Sequence, residues 1–215
     1  MWELKDHKFG GLPGVHPRGE ARFIDPVEVQ FVSVRNELHA ENWMLRRFDP
    51  ETLRLEVPQS AHTAVIGGTA YQERFSLIVD RRDGTRFADV VVARPISDVR
   101  QHALRAVAAE HGLQACVRSR EMVRANGVHI ANVSMMRQRM TLYAKIPCEI
   151  EQQDVVRSLV REPMTRIELM EVLRNSKGLQ YVEQMDCLIF RAYLAKLIDF
   201  DIQVPYGPRT VLQAL

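Results

Sequence analysis

The sequence predicts an α/β protein: a mixed sheet flanked by helices over residues 28–147, then a small, mostly helical unit over 148–215. Three observations carry this. Apolar residues alternate between strand-like and helix-like periods from Val29 to Ala144. Asp83-Gly84 joins two β-rich runs, 75–79 and 87–93, which is a strong short-range hairpin signal. After Pro147 the periodic runs are helical until the last residues.

Residues 1–27 are rich in Gly, Pro, His and charge and read as an extended N-terminal arm. A short strand follows at 29–34. Ser33 or Asn36 can cap a helix reaching about Phe48, with Leu38, Trp43, Met44 and Leu45 apolar, and Asp49-Pro50 stops it. Residues 52–57 place Leu53, Leu55 and Val57 in alternation, the pattern of a half-buried strand. Gly67-Gly68 marks a turn, the 75–94 hairpin follows, and Pro95 ends it. Ser97 can cap a helix through His111, striped by Val99, Ala103, Leu104 and Val107, with Gly112 placed just past its end. A strand at 113–117, a short helix at 119–125, a turn at Asn126-Gly127 and a helix at 130–144 complete this part.

The C-terminal unit begins near 145–151. Thr165 and Glu168 form a capping box opening a helix with Ile167, Leu169, Val172 and Leu173 on one face, and Gly178 closes it. A second striped helix is expected at 187–198. Residues 202–204 and 210–212 are expected as a two-stranded wing around Pro205-Tyr-Gly-Pro208. Helix, turn, helix and ribbon is the order of a winged-helix-like domain; a plain helical cap fits the same pattern.

The 215 residues are 46% hydrophobic and 26% charged, as in ordinary globular proteins. No run approaches the roughly 18 apolar residues of a membrane span, and the first residues are too polar for a signal peptide. Cys116, Cys148 and Cys187 lack CxxC spacing, which argues against a disulfide framework or zinc site and for a cytoplasmic protein. The seven histidines show no zinc-ligand spacing, and no nucleotide-binding loop or nucleophile elbow is present. A net charge of +2 does not by itself demand nucleic acid. The cations are nonetheless mostly Arg, with Lys only at 5, 8, 145, 177 and 196. Arg forks suit phosphate oxygens, although Arg-rich codon usage gives the same bias.

Four local patterns, in order over residues 28–145, resemble the TnsA-type transposon endonuclease domain, which has the restriction-endonuclease-like PD-(D/E)XK fold. Ser33 to Pro50 resembles its opening acid-bearing helix and the phrase Phe48-Asp49-Pro50. Residues 53–59 resemble the strand leading to a Gln-Pro pair, here reversed as Pro58-Gln59. Tyr71-Gln-Glu-Arg-Phe75 resembles Tyr-x-Pro-Asp-Phe. Residues 114–132 resemble the closing segment through Ser119-Arg-Glu, Val123-Arg124 and Asn132.

The resemblance implies a Mg²⁺ site built from carboxylates, the metal activating water and steadying charge on phosphate. Here the helix acid falls on Glu41 or Glu37, the Pro-Asp on Glu73-Arg74, and the Glu-x-Lys on Val92-Ala-Arg94. Arg at a metal-ligand position repels the cation. The leading expectation is therefore a DNA-binding, endonuclease-like protein that has lost catalysis and needs no cofactor. It would serve as an accessory subunit of transposition or DNA processing, beside a transposase-type protein partner and without a membrane. Arg74 and Arg94 would either grip phosphate in the former cleft or pair with Glu41 or Glu73. Arg118, Arg120, Arg124, Arg137 and Arg139 would form a solvated face or a DNA-facing patch. One alternative is an active Mg²⁺-dependent endonuclease with relocated acids Glu41, Glu73 and Asp89. In that reading Asp89 faces the opposite side of its strand from Val92 and Arg94. The other is a protein–protein scaffold.

Overall fold

A computed structural model describes residues 19–146, 149–159 and 162–215. Most of the expected N-terminal arm, through residue 18, lies outside the described residues, as does Cys148. From Ala21, however, the chain is already a strand. β1 (Ala21–Asp25) pairs antiparallel with β2 (Gln30–Val34) in a ribbon that buries Ala21, Phe23, Val32 and Val34. Asp25 fixes the turn between them, accepting hydrogen bonds from the backbone N–H of Val27 at 2.9 Å and the Arg47 guanidinium at 2.9 Å.

Asn36 caps α1 (Glu37–Arg47), accepting from the His39 N–H. β3 (Thr52–Glu56) carries a register shift between Thr52 and Arg54, which turns Leu53 out to 62% exposure and breaks the expected alternation. Gly67-Gly68 is a turn as expected, and it joins two strands beyond those expected, β4 (His62–Ile66) and β5 (Thr69–Glu73). Both glycines have positive φ, as a tight hairpin turn requires. The Asp83-Gly84 turn joins β6 (Leu77–Arg81) to β7 (Arg86–Val92) as expected. Ser97 caps α2 (Asp98–Glu110), and the chain returns through β8 (Gln114–Ser119), parallel to β7. α3 (Arg120–Val123) and α4 (Gly127–Leu142) follow.

The main sheet has four strands in the order β3-β6-β7-β8, antiparallel except for the last pair. Leu55, Leu77 and Val79 on one face join Trp43 and Met44 of α1 and Val133, Met136 and Met140 of α4. Ile78, Ala88, Val90 and Val92 on the other face join Leu104, Val107 and Ala108 of α2, with Ala64 of the β4–β5 hairpin.

The C-terminal unit contains α5 (Glu149–Leu159), β9 (Met164–Thr165), α6 (Arg166–Lys177), α7 (Val182–Leu194), β10 (Ile198–Asp199) and β11 (Val211–Ala214). Its small antiparallel sheet runs β10-β11-β9. The expected ribbon is thus corrected: β11 pairs with 198–199 and 164–165, while 202–204 forms part of a loop. That loop is fastened to α4 by Asn132. Its side-chain amide donates to the carbonyls of Ile202 at 2.9 Å and Val204 at 2.7 Å and accepts from the Tyr206 N–H at 3.1 Å. α7 is apolar nearly all round, with Met185, Leu188, Ile189, Phe190 and Ala192 buried. Its residues share one core with Phe23, Trp43 and Met136, so the core continues across the 145–151 join. No helix among the described residues is long and apolar enough to cross a membrane.

Candidate anion-binding cleft

β6 and β7 part company at Ser76. Its N–H still donates to the Asp89 carbonyl at 2.7 Å, but the next acceptor, for Val91 N–H, is the Ser76 hydroxyl at 2.9 Å instead of a backbone carbonyl. At this parting lies a cleft of about 250 Å³ between the end of β2, the start of α1, the segment after β3, and β7. Arg35, Arg74 and Arg100 line it, with His39, Ser76 and Val91. The carboxylate that also borders it, Glu20, is engaged with Arg22 at 3.2 Å.

His39 has a defined role in this wall. Asn36 Oδ1 already accepts the His39 backbone N–H as the helix cap, and it lies 2.8 Å from the ring Nδ1. An oxygen acceptor there places the ring proton on Nδ1 and leaves Nε2 as an acceptor. Burial, reinforced by the Arg35 charge, pushes the imidazole pKa down to about 4, so the ring is neutral near pH 7.

The three candidate acids are apart, each engaged by a different arginine. Glu41 on α1 is buried and accepts from Arg124 Nε at 2.7 Å, and the same guanidinium reaches Glu37 at 3.5 Å. The Glu41 bond holds the Arg124 guanidinium more firmly protonated than usual. Glu73, ending β5, faces Arg100 with both oxygens at 3.3 Å. Asp89 has 0% exposure and accepts two bonds from Arg46 at 2.8 Å and one from Asn42 at 3.0 Å. Among the described residues no three His, Cys, Asp or Glu side chains converge as a metal-holding group. Paired acids outside the cleft and arginines along it do not fit a divalent cation.

Asp89 and Val92 lie on opposite faces of β7, as the strand's parity demands: Asp89 meets α1, and Val92 is buried under α2. Val90 and Val91 of β7 border the cleft, whereas Val92, where the resemblance places the Glu of the Glu-x-Lys, is buried under α2 and does not line it. Arg74 lines the cleft, whereas Arg94 is exposed beyond β7 and is absent from its wall. The expected partnership of these two is replaced by Arg35 and Arg100, which sequence reasoning missed. Arg35 precedes the α1 cap and Arg100 sits in the first turn of α2, two helix starts with no sequence pattern linking them.

The five arginines expected as a solvated face or DNA-facing patch differ in their surroundings. Arg118 donates to Asn42 Oδ1 at 3.2 Å, Arg120 is exposed on α3, and Arg124 is engaged by Glu41. Arg139 pairs with Glu183 at 2.8 Å, and Arg137 stands over the Phe23 ring at 6.0 Å. Trp43, Met136 and Met140 are core residues. No protein-family model matches the chain, and no curated protein matches it.

Proposed function

We propose that the chain is a restriction-endonuclease-like protein that binds DNA without cutting it, an accessory or interaction subunit of a transposition or DNA-processing assembly in the cytoplasm. The order α1, β3, β6, β7, α2, β8, with β7 and β8 parallel, supports the fold assignment, the β4–β5 hairpin being an insertion after the first sheet strand. The order α5, β9, α6, α7, β10, β11 supports a winged-helix-like C-terminal unit. Its α7, which would enter the groove in a helix-turn-helix reader, is buried in the protein core, so the phosphate contacts are assigned to the cleft instead.

One observation carries this reading: at the position of the family's Pro-Asp acid the cleft presents Arg74, with Arg35 beside it, and Glu41, Glu73 and Asp89 are held in ion pairs, Glu73 by the cleft's own Arg100. Arginine forks bind phosphate oxygens directly, with no metal between. Among the described residues no converged acid set is placed to hold Mg²⁺ and activate water through it.

The test is fluorescence anisotropy of labelled duplex DNA across a salt series, with and without Mg²⁺ or Mn²⁺, alongside a gel assay for cleavage. Binding is expected to weaken with salt, with intact DNA throughout. Each phosphate contact contributes a slope of about −0.9 in log K against log salt, so Arg74→Ala should lower the slope by about one unit. Metal-dependent cleavage abolished by Glu41→Ala would overturn the proposal in favour of an active enzyme. Absence of binding at moderate salt would favour a protein scaffold.

A further inference from the structure

A second cavity, which meets the cleft at Ser33, lies between the β1–β2 ribbon and the C-terminal half of α4. It is an open groove of about 720 Å³, within the roughly 300–1,000 Å³ range of small-ligand pockets. Phe23, Ile24, Phe31, Val32 and Leu142 give it apolar walls. Phe31 is 86% exposed and Leu142 63%, so large apolar groups face solvent along its rim.

Arg137 also lines this groove, and it lacks the carboxylate partner that several other half-buried arginines have. Arg46, Arg139 and Arg166 each meet a carboxylate. No carboxylate among the described residues pairs with Arg137, and its buried Nε makes no hydrogen bond. The Phe23 ring is the neighbour its charge has. Burial alone lowers its pKa below the ordinary arginine value. A guanidinium with an unfilled buried donor beside apolar walls is unfavourable until an anion meets it. Arg22, at the same groove, is engaged by Glu20 and is not the free charge.

We propose that this groove binds a small amphipathic carboxylate, its head on Arg137 and its apolar body against Phe23, Phe31 and Leu142. The single unpaired cation beside a run of apolar wall matches a molecule with one anionic end and one apolar end. This site is independent of the DNA-binding reading and uses none of its residues.

Isothermal titration of the whole chain with sodium decanoate and decyltrimethylammonium, each below its micelle concentration, and with 1-decanol below its solubility limit, tests it. Decanoate is expected to bind one to one and more tightly than the other two. Arg137→Met should weaken decanoate about tenfold or more, the loss of a charge-assisted hydrogen bond, while leaving decanol unchanged. Phe31→Asp, a change at an exposed position, should weaken both decanoate and decanol, decanoate the more because the new carboxylate also repels its head. Equal binding of all three amphiphiles, or no binding of decanoate, would overturn the proposal. So would sedimentation showing self-association that Phe31→Asp abolishes, since the occupant would then be a second copy of the chain.

Discussion

Asp89 sits at the middle of the main sheet with both oxygens engaged, which makes it a structural acid and not a poised catalytic one. Asp89→Asn removes the charge that Arg46 is oriented around and leaves a half-buried guanidinium without its partner. Breaking a buried pair in this way costs roughly 3–5 kcal/mol. Urea denaturation should show that loss, with DNA affinity at low temperature unchanged; an unaltered midpoint would mean the pair is not buried as described. His39 supplies a pH dependence. Its folded pKa of about 4 lies below the ordinary 6.5 of the unfolded chain, so between these values the unfolded state binds the extra proton. The neutral ring's contribution is complete above about pH 6.5, falls away as the pH drops toward 4, and changes no further below that. His39→Gln should therefore flatten the decline of melting temperature between pH 6.5 and 4.5. If the variant and the wild type decline in parallel, the proton is going elsewhere.

Helix starts and tight turns were legible in the sequence because the interactions that define them span three or four residues. Ser97 and Ser119 cap helices, Thr165 and Glu168 form the reciprocal box, and Asp83-Gly84 turns with Gly84 at a φ of 84°, whereas Asn126, expected in a turn, caps α4 three residues before its expected start. Thr165→Ala removes the hydroxyl that accepts the Glu168 N–H and donates to Glu168 Oε2 at 2.7 Å. The expected cost is about 1 kcal/mol, or roughly 2–4 °C in melting temperature for a chain of this size. Calorimetry would read it, and Thr165→Ser should retain most of the stability. Strands that lean on distant partners were harder to see. β1 lies beside a Gly/Pro-rich stretch and is defined by pairing with β2, and β4 and β5 hold each other while resting on α2. Thr52–Glu56 was found, but its register shift, which exposes Leu53, depends on pairing with β6 and leaves no local mark. The cleft was half legible for the same reason. Arg74 belonged to a recognisable segment, whereas Arg35, His39 and Arg100 reach it from two helix starts that only the folded sheet brings together.

A boundary near 145–151 would lead one to expect two independently melting bodies, since multidomain chains commonly depart from two-state unfolding. The packing argues otherwise. Phe190 on α7 has no exposed surface, packs at a tilt against the rings of Phe200 and Tyr206, and belongs to the same core cluster as Trp43 on α1. Polar ties cross between the same parts: Arg82 in the β6–β7 turn donates to the Leu194 carbonyl at 3.2 Å, Lys196 pairs with Glu51 at 2.5 Å, and Asn132 holds the 202–206 loop. Removing a large buried ring from such a core costs roughly 3–5 kcal/mol. If the core is one body, that loss must be felt on the far side of the join. In a Trp2→Phe background Trp43 is the only tryptophan and reports on α1 and the main sheet, while far-UV circular dichroism weights all the helices. Phe190→Ala is expected to lower the denaturation midpoint of both signals by the same amount, leaving the two curves superimposed. If the dichroism transition moves and the Trp43 transition stays, the C-terminal unit melts alone and the shared core does not couple the two halves.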